Sequence, residues 1–122
     1  MADIAYSVDV QASKGALAQS FAVSGVTANM STAGIMSVTL NLGTSATQIS
    51  TTNMNVLGIC IARSLATSTT HTVSFGRYSG GTLYETATLR GGESMVLRLS
   101  AGDYAAKAAV ANTKFLLHVL EG

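Results

Sequence analysis

A change of pattern within residues 60–76, CIARSLATSTTHTVSFG, decides the fold of this chain. The first part is apolar and ends at Arg63, and a run of small and hydroxyl residues follows. From His71 onward the residues alternate, so that His71, Val73 and Phe75 share one side and polar residues share the other. Because successive side chains of a strand point to opposite faces, this alternation predicts a strand with one buried face. The stretch therefore predicts two strands and the loop that joins them.

The same period of two recurs in both directions along the chain. Residues 4–10 and 35–42 alternate between apolar and polar side chains, as half-buried strands of antiparallel sheets do. Residues 56–63, VLGICIAR, are apolar on both sides, which predicts a central strand that is covered on each face. Glycine-rich turns separate the further strands that the pattern predicts. Those strands cover residues 82–89, 94–99 and 114–120.

Two segments leave the choice between strand and helix open. Residues 104–111, YAAKAAVA, have high helix propensity, but they are few and follow a turn without a clear capping box. We favour a strand or an irregular edge for them. Residues 11–23 fit either a strand or a short helix.

The chain is predicted to be all-β and to form a single domain over residues 1–122. It contains no proline, no block of like charges and no linker-like change of composition. About eight or more short strands, separated by Gly, Ser and Thr turns, are typical of an antiparallel β-sandwich or a jelly-roll-like barrel. Residues 1–10 are expected to act as an extended arm or an edge strand of this domain.

The charge of the chain excludes some classes of partner. Seven basic and six acidic residues give a net charge of +1, so the chain lacks the electrostatic signature of nucleic-acid or membrane binding. Charged residues make up 11% of the chain, whereas about a quarter is usual. A surface with so little charge resists association weakly, which suits a protein that is packed against neighbours or copies of itself.

Signals for a membrane or for secretion are not apparent in the sequence. No apolar run approaches the ~20 residues that span a bilayer. The segment MADIAYSVDV, residues 1–10, lacks the basic start and the apolar region of a signal peptide. We therefore expect a soluble protein that is made in a cytoplasm.

The residues that could do chemistry do not form a recognisable site. His71, His118 and the single cysteine, Cys60, lack the spacing of metal ligands. No pair of carboxylates has an apolar setting, and no serine occupies a G-x-S-x-G motif. Cys60, between Ile59 and Ile61, is expected to be a small buried hydrophobe. We predict no catalytic residue, no metal, no cofactor and no enzyme activity.

Aromatic and basic residues alternate once, in the segment FGRYSGGTLY. One interpretation is a platform on which a base or a sugar stacks. The interpretation that we favour places the phenylalanine in the core and the other residues at an exposed turn, where arginine and tyrosine suit a protein interface. The residues concerned are Phe75, Arg77, Tyr78 and Tyr84.

Five segments of the second half form a pattern of core strands and glycine turns. They are IARSL (61–65), VSFG (73–76), LRGGESMVLRL (89–99), YAAKA (104–108) and FLLHVLE (115–121). This pattern, within residues 57–121, resembles small structural proteins of tailed bacteriophages, except that Gly91 stands where such proteins carry a proline. The resemblance implies a virion component, either a capsid decoration or cement protein or a minor head or tail protein, and it implies no catalytic residue.

On this resemblance we expect a non-enzymatic virion protein that decorates the capsid surface after being made in the host bacterial cytoplasm. Its partners would be the major capsid protein or other virion subunits, and copies of itself in a homo-oligomer, with a trimer as the expected form. The alternative is a carbohydrate- or receptor-binding β-sandwich module of a phage fibre or tail. The expected interface residues are Asp3, Tyr6, Arg77, Tyr78 and Tyr84.

Overall fold

The computed structural model describes residues 2–122 and consists of antiparallel strands without a helix, which confirms the all-β prediction. Contacts divide the chain into two compact units, one that ends at Ser31, which we call the hairpin, and one from Thr32 to Gly122, which we call the body. Among the described residues, no helix is long and apolar enough to cross a membrane. The strands are β1 (Ile4–Lys14), β2 (Leu17–Ala28), β3 (Ile35–Leu42), β4 (Thr47–Ile49), β5 (Leu57–Ser64), β6 (Val73–Ser79), β7 (Thr82–Leu89), β8 (Ser94–Arg98), β9 (Tyr104–Ala108) and β10 (Thr113–Glu121).

The hairpin consists of β1 and β2, which pair in antiparallel fashion around a turn at Gly15. Gly15 has a φ of +57°, a conformation that glycine adopts without strain. Gly25, with a φ of +69°, lies at a bulge in β2. The bulge places Val23 and Val26 on the same face although they are three residues apart. Residues 11–23, for which the sequence allows strand or helix, belong to these two strands and their turn.

The body contains two four-stranded antiparallel sheets, ordered β3-β10-β5-β8 and β4-β9-β6-β7. β5 lies between β10 and β8, which confirms the mid-sheet position predicted for the VLGICIAR strand. β9 lies between β4 and β6, so residues 104–108 form an interior strand rather than an irregular edge. Each of the two sheets is open at both ends of its strand order, and the described strands therefore do not close into a barrel.

Side chains from both sheets of the body meet in one hydrophobic core. Phe75 on β6, Phe115 on β10 and Tyr104 on β9 are 1%, 0% and 6% exposed. The rings of Phe75 and Tyr104 stack with their centroids 5.6 Å apart. The ring of Phe115 is tilted relative to that of Phe75, and the centroids of these two rings are 6.1 Å apart. Such aromatic pairs stabilise a core by about 0.5–1.5 kcal/mol beyond the burial of their area. Phe75 is therefore a core residue, as the favoured interpretation of its segment predicts.

From Cys60 onward, the central strand β5 is buried on one face and exposed on the other. Cys60 and Ala62 belong to the core and are fully buried. Ile61, on the opposite face, is 39% exposed, and Arg63 is exposed on the same side. The prediction that this strand is covered on both faces is therefore wrong for the residues after Cys60. The reason is that the second sheet of the body packs against one side only.

The last strand ends in a buried carboxylate that holds a neighbouring segment. Glu121 is 4% exposed, and its oxygens accept hydrogen bonds from the backbone N–H groups of Asn55, at 3.1 Å, and Val56, at 3.0 Å. The side chain also lies against Gly34, where a Cβ atom would come within 2.6 Å of Glu121 Cγ. Hydrogen bonds to an ionised acceptor are stronger than neutral ones. Glu121 thus fastens the segment before β5 to the end of β10.

Candidate interaction surfaces

The two predicted interface residues of the N-terminal segment have different environments. The carboxylate Oδ2 of Asp3 accepts a hydrogen bond from the backbone N–H of Met30 at 2.9 Å. This bond joins the two ends of the hairpin, so Asp3 has a structural role within that unit. Tyr6 is partly buried and lies directly opposite Val26, on the apolar side of the hairpin. The segment predicted to be an arm is therefore one strand of a paired ribbon.

One side of the hairpin, which we call the hairpin face, is apolar. Val10 and Phe21 lie directly opposite each other and are 53% and 59% exposed. Leu17, near the turn, is 54% exposed. The other side carries Asp9 and Gln11 among small and hydroxyl residues. The apolar residues of the hairpin face are Ile4, Tyr6, Val8, Val10, Leu17, Phe21, Val23 and Val26.

The hairpin face has the chemistry of a surface that binds another protein. An isolated two-stranded hairpin is at best marginally stable in water, because it cannot bury its own apolar face. Contiguous exposed apolar patches mark interaction sites in soluble proteins. Of the charged residues in β1 and β2, Asp9 lies on the opposite side. Lys14, directly opposite Leu17, lies on the hairpin face at its turn end, as does the polar Gln19. The middle of the hairpin face is therefore apolar and without charge.

The predicted interface residues of the 77–84 segment lie on β6, β7 and their turn. The guanidinium carbon of Arg77 lies 5.6 Å from the centroid of the Tyr104 ring, and the guanidinium packs against Gly102. Arg77 therefore covers the aromatic end of the core by a cation–π contact. Tyr84, directly opposite Arg77, is 59% exposed. Tyr78 is partly buried, and its backbone N–H donates to the Asp103 carbonyl at 2.9 Å.

The structure does not assemble the aromatic residues of this segment into an exposed platform for a base or a sugar. Phe75 is 1% exposed and stacks on Tyr104 inside the core. Arg77 is engaged with the same ring. Tyr84 remains as the exposed aromatic side chain of the segment. The structural role of Arg77 was missed in the sequence, because nothing near Arg77 in the chain indicates that Tyr104 would lie beside it.

Groups that could support chemistry are dispersed in the part of the chain that the structure describes. Over residues 2–122, no cluster of three His, Cys, Asp or Glu side chains could hold a metal ion. Within the same range the one ion pair joins Lys107 Nζ to Glu85 Oε1 at 3.1 Å, with both side chains substantially exposed. Exposed pairs of this kind contribute about 0–1 kcal/mol.

The thiol of Cys60 is expected to be unreactive in the folded protein. Burial raises the pKa of the Cys60 thiol to about 12, and the thiolate is the reactive form. A thiol-specific disulfide reagent at about pH 8 should therefore modify the native protein far more slowly than the unfolded protein. Absorbance of the released reagent measures both rates. Equal rates in the two states would show that the site is open to solvent.

No protein-family model, no curated protein and no solved structure matches this chain. The functional argument therefore depends on the surfaces described above.

Proposed function

We propose that this chain is a non-enzymatic structural protein of a tailed-bacteriophage virion, a decoration or cement protein that binds the assembled head and stabilises it as a homo-oligomer. The observation that carries the proposal is the hairpin face, a long apolar surface on a ribbon too small to bury it. The same hairpin supplies the arm that the sequence suggests. The resemblance within residues 57–121 supports the assignment to a virion.

The strand order of the body supports a jelly-roll assignment as part of this proposal. Counted from β3 to β10, the first strand pairs with the last, β4 pairs with β9, β5 with β8, and β6 with β7. Four nested antiparallel pairs in two four-stranded sheets are the arrangement of an eight-stranded jelly roll, a fold used by viral capsid proteins among others. Because one fold hosts many functions, this likeness supports a virion role only as an analogy.

The hairpin face is the proposed contact between copies of the chain. Its uncharged middle would let the faces of neighbouring copies meet without opposing like charges. Most soluble homo-oligomers are closed and symmetric, so each copy contributes the same ribbon around a common axis. A trimer, with three ribbons covering one another, is the form that we propose.

A decoration protein of this kind stabilises the head by mass action. A ligand that binds the assembled shell but not its separated subunits lowers the free energy of the shell by about 2.7 kcal/mol per site at roughly 100 times its Kd. Linking several binding surfaces in one oligomer raises overall affinity by about 10²- to 10⁴-fold when the geometry permits simultaneous contact. An oligomer joined through the hairpins would therefore bind adjacent shell subunits more tightly than a single copy.

The experiment for the proposed function measures binding to heads. The purified full chain is mixed with phage heads assembled from a genome that lacks its gene, and bound protein is counted after sedimentation. Saturable binding at a fixed number of copies per shell subunit, together with heads that withstand more heating, is expected. If the chain does not sediment with the heads but binds glycans on an array, the result would instead support the carbohydrate-binding alternative.

A further inference from the structure

The sheet β3-β10-β5-β8 carries an apolar stripe on the side that faces away from the core, which we call the outer face. Ile61 on β5 and Val96 on β8 lie directly opposite each other on this side and are 39% and 43% exposed. Ile35, on the edge strand β3, is 61% exposed and lies opposite Leu120. The outer sides of solvated antiparallel sheets are normally polar. The apolar stripe of the outer face therefore requires an explanation.

Positive charges border this stripe. Arg63 lies opposite Leu116, Arg98 lies opposite Ile59, and Lys114 lies near the start of β10. All three basic side chains are exposed. None of the outward positions of these four strands holds an acidic residue, and Glu121 of β10 points inward. His118 of β10 lies beside Ile61 on the same side and is partly buried. The outer face thus combines a centre of aliphatic residues and one histidine with a positive border.

The other sheet of the body lacks this combination. Its outward positions include Ser74 and Thr88 opposite each other, and the ion pair between Lys107 and Glu85. Opposite charges there neutralise each other. Tyr78 and Leu83, opposite each other on the same side, are both partly buried. The apolar stripe and its positive border are therefore particular to one side of the body.

We propose that the outer face is the surface that binds the head, and that its partner is a protein surface with an apolar centre bordered by carboxylates. The inference rests on the proposed function and adds the surface and the chemistry of the partner. Charge decides between the candidate occupants. A second copy docking through the same face would place its positive border against that of the first copy, and such like-charge contacts cost several kcal/mol.

Nucleic acid fits the outer face less well than protein does. Single-stranded nucleic acid is bound by basic grooves with aromatic side chains on which bases stack, and the outer face carries aliphatic residues in those places. Duplex binding depends on many phosphate contacts, whereas three basic residues border this face. An apolar centre with a charged border is typical of a protein interface.

Four exposed substitutions in the full chain test the inference. Val96→Asp and Arg63→Glu change the outer face. Thr88→Asp makes the same kind of change on the other sheet, and Arg90→Glu does so in the turn between β7 and β8. We expect the first two to weaken binding to heads lacking this protein by at least about tenfold, and the controls by less than about twofold. Binding of the wild-type chain to heads should weaken as NaCl rises from about 0.05 to 0.3 M, and binding of the Arg63→Glu variant should depend less steeply on NaCl.

The outcomes separate this inference from the proposed function. Light scattering should give the same oligomeric state for all four variants, because the hairpin is unchanged. If Val96→Asp lowers the melting temperature, its weaker binding could reflect unfolding, and the binding of Arg63→Glu alone then tests the inference. Tight wild-type binding to heads with all four variants unaffected would overturn the inference and leave the proposed function standing. Wild-type binding to duplex DNA but not to heads would overturn both.

Discussion

A chain that carries Val10→Asp and Phe21→Asp is expected to be monomeric at concentrations at which the proposed oligomer of the wild-type chain forms. The two residues lie directly opposite each other at the centre of the hairpin face and are more than half exposed. Burying an unpaired carboxylate in an apolar contact costs several kcal/mol. Two of them in every copy should raise the dissociation constant by more than about 1000-fold. Light scattering after size-exclusion chromatography, over a range of concentrations, measures the change.

The control for this experiment is on the other side of the same ribbon. Gln11 and Ser20 are also directly opposite each other, so Gln11→Asp with Ser20→Asp adds the same charge one residue pair nearer the turn. Each variant then places two carboxylates opposite each other, so the repulsion between them is of similar size in both. We expect the control to remain an oligomer. If both variants dissociate, the cause is loss of hairpin stability and not loss of the hairpin face. If both variants remain oligomers, the hairpin face is not the contact between copies.

Glu121→Ala is expected to lower the free energy of unfolding by about 3 kcal/mol. The substitution leaves the backbone N–H groups of Asn55 and Val56 without the acceptors that they have in the native protein. A fully buried donor left unsatisfied costs about 1–3 kcal/mol; these two hydrogen bonds are part-buried, and loss of packing against Gly34 adds to their cost. Urea denaturation of the full chain, followed by circular dichroism, measures the loss.

Two comparison variants make the Glu121 result specific. Glu121→Gln keeps one acceptor oxygen, so we expect it to lose less stability than Glu121→Ala. The carboxylate of Glu93 also accepts a backbone hydrogen bond, from Arg90 at 2.6 Å, but at an exposed turn. Water replaces that acceptor, so Glu93→Ala should cost less than about 1 kcal/mol. A Glu121→Ala variant as stable as the Glu93→Ala variant would contradict the role assigned to the buried carboxylate.

Alternation along the chain was sufficient to predict most of the strands. β3 and β10 show one buried side with a period of two, and glycine turns bound β7 and β8. The pattern contains no information on which strands pair. β9 illustrates this, because its alanines favour a helix in isolation, and burial between β4 and β6 overrides that preference.

The surfaces were harder to predict than the strands. The β1 half of the hairpin face could be predicted, because residues 4–10 alternate. The β2 half could not, because the bulge at Gly25 interrupts the alternation of apolar residues on β2. The roles of Arg77 and Glu121 depend on contacts with residues far away in the chain. The sequence shows that β5 is apolar on both sides, Ile61 included. Only the structure shows which of the two sides is exposed.

Binding of the purified wild-type chain to heads assembled without it tests the proposed virion role most directly, with cryo-electron microscopy of the resulting particles as the measurement. We predict symmetric density on the outside of the shell, in which several copies meet through their hairpins and the Arg63 side of each body lies against the shell. Heads that show no added density at saturating protein, or density at sites with no contact between copies, would contradict the proposal.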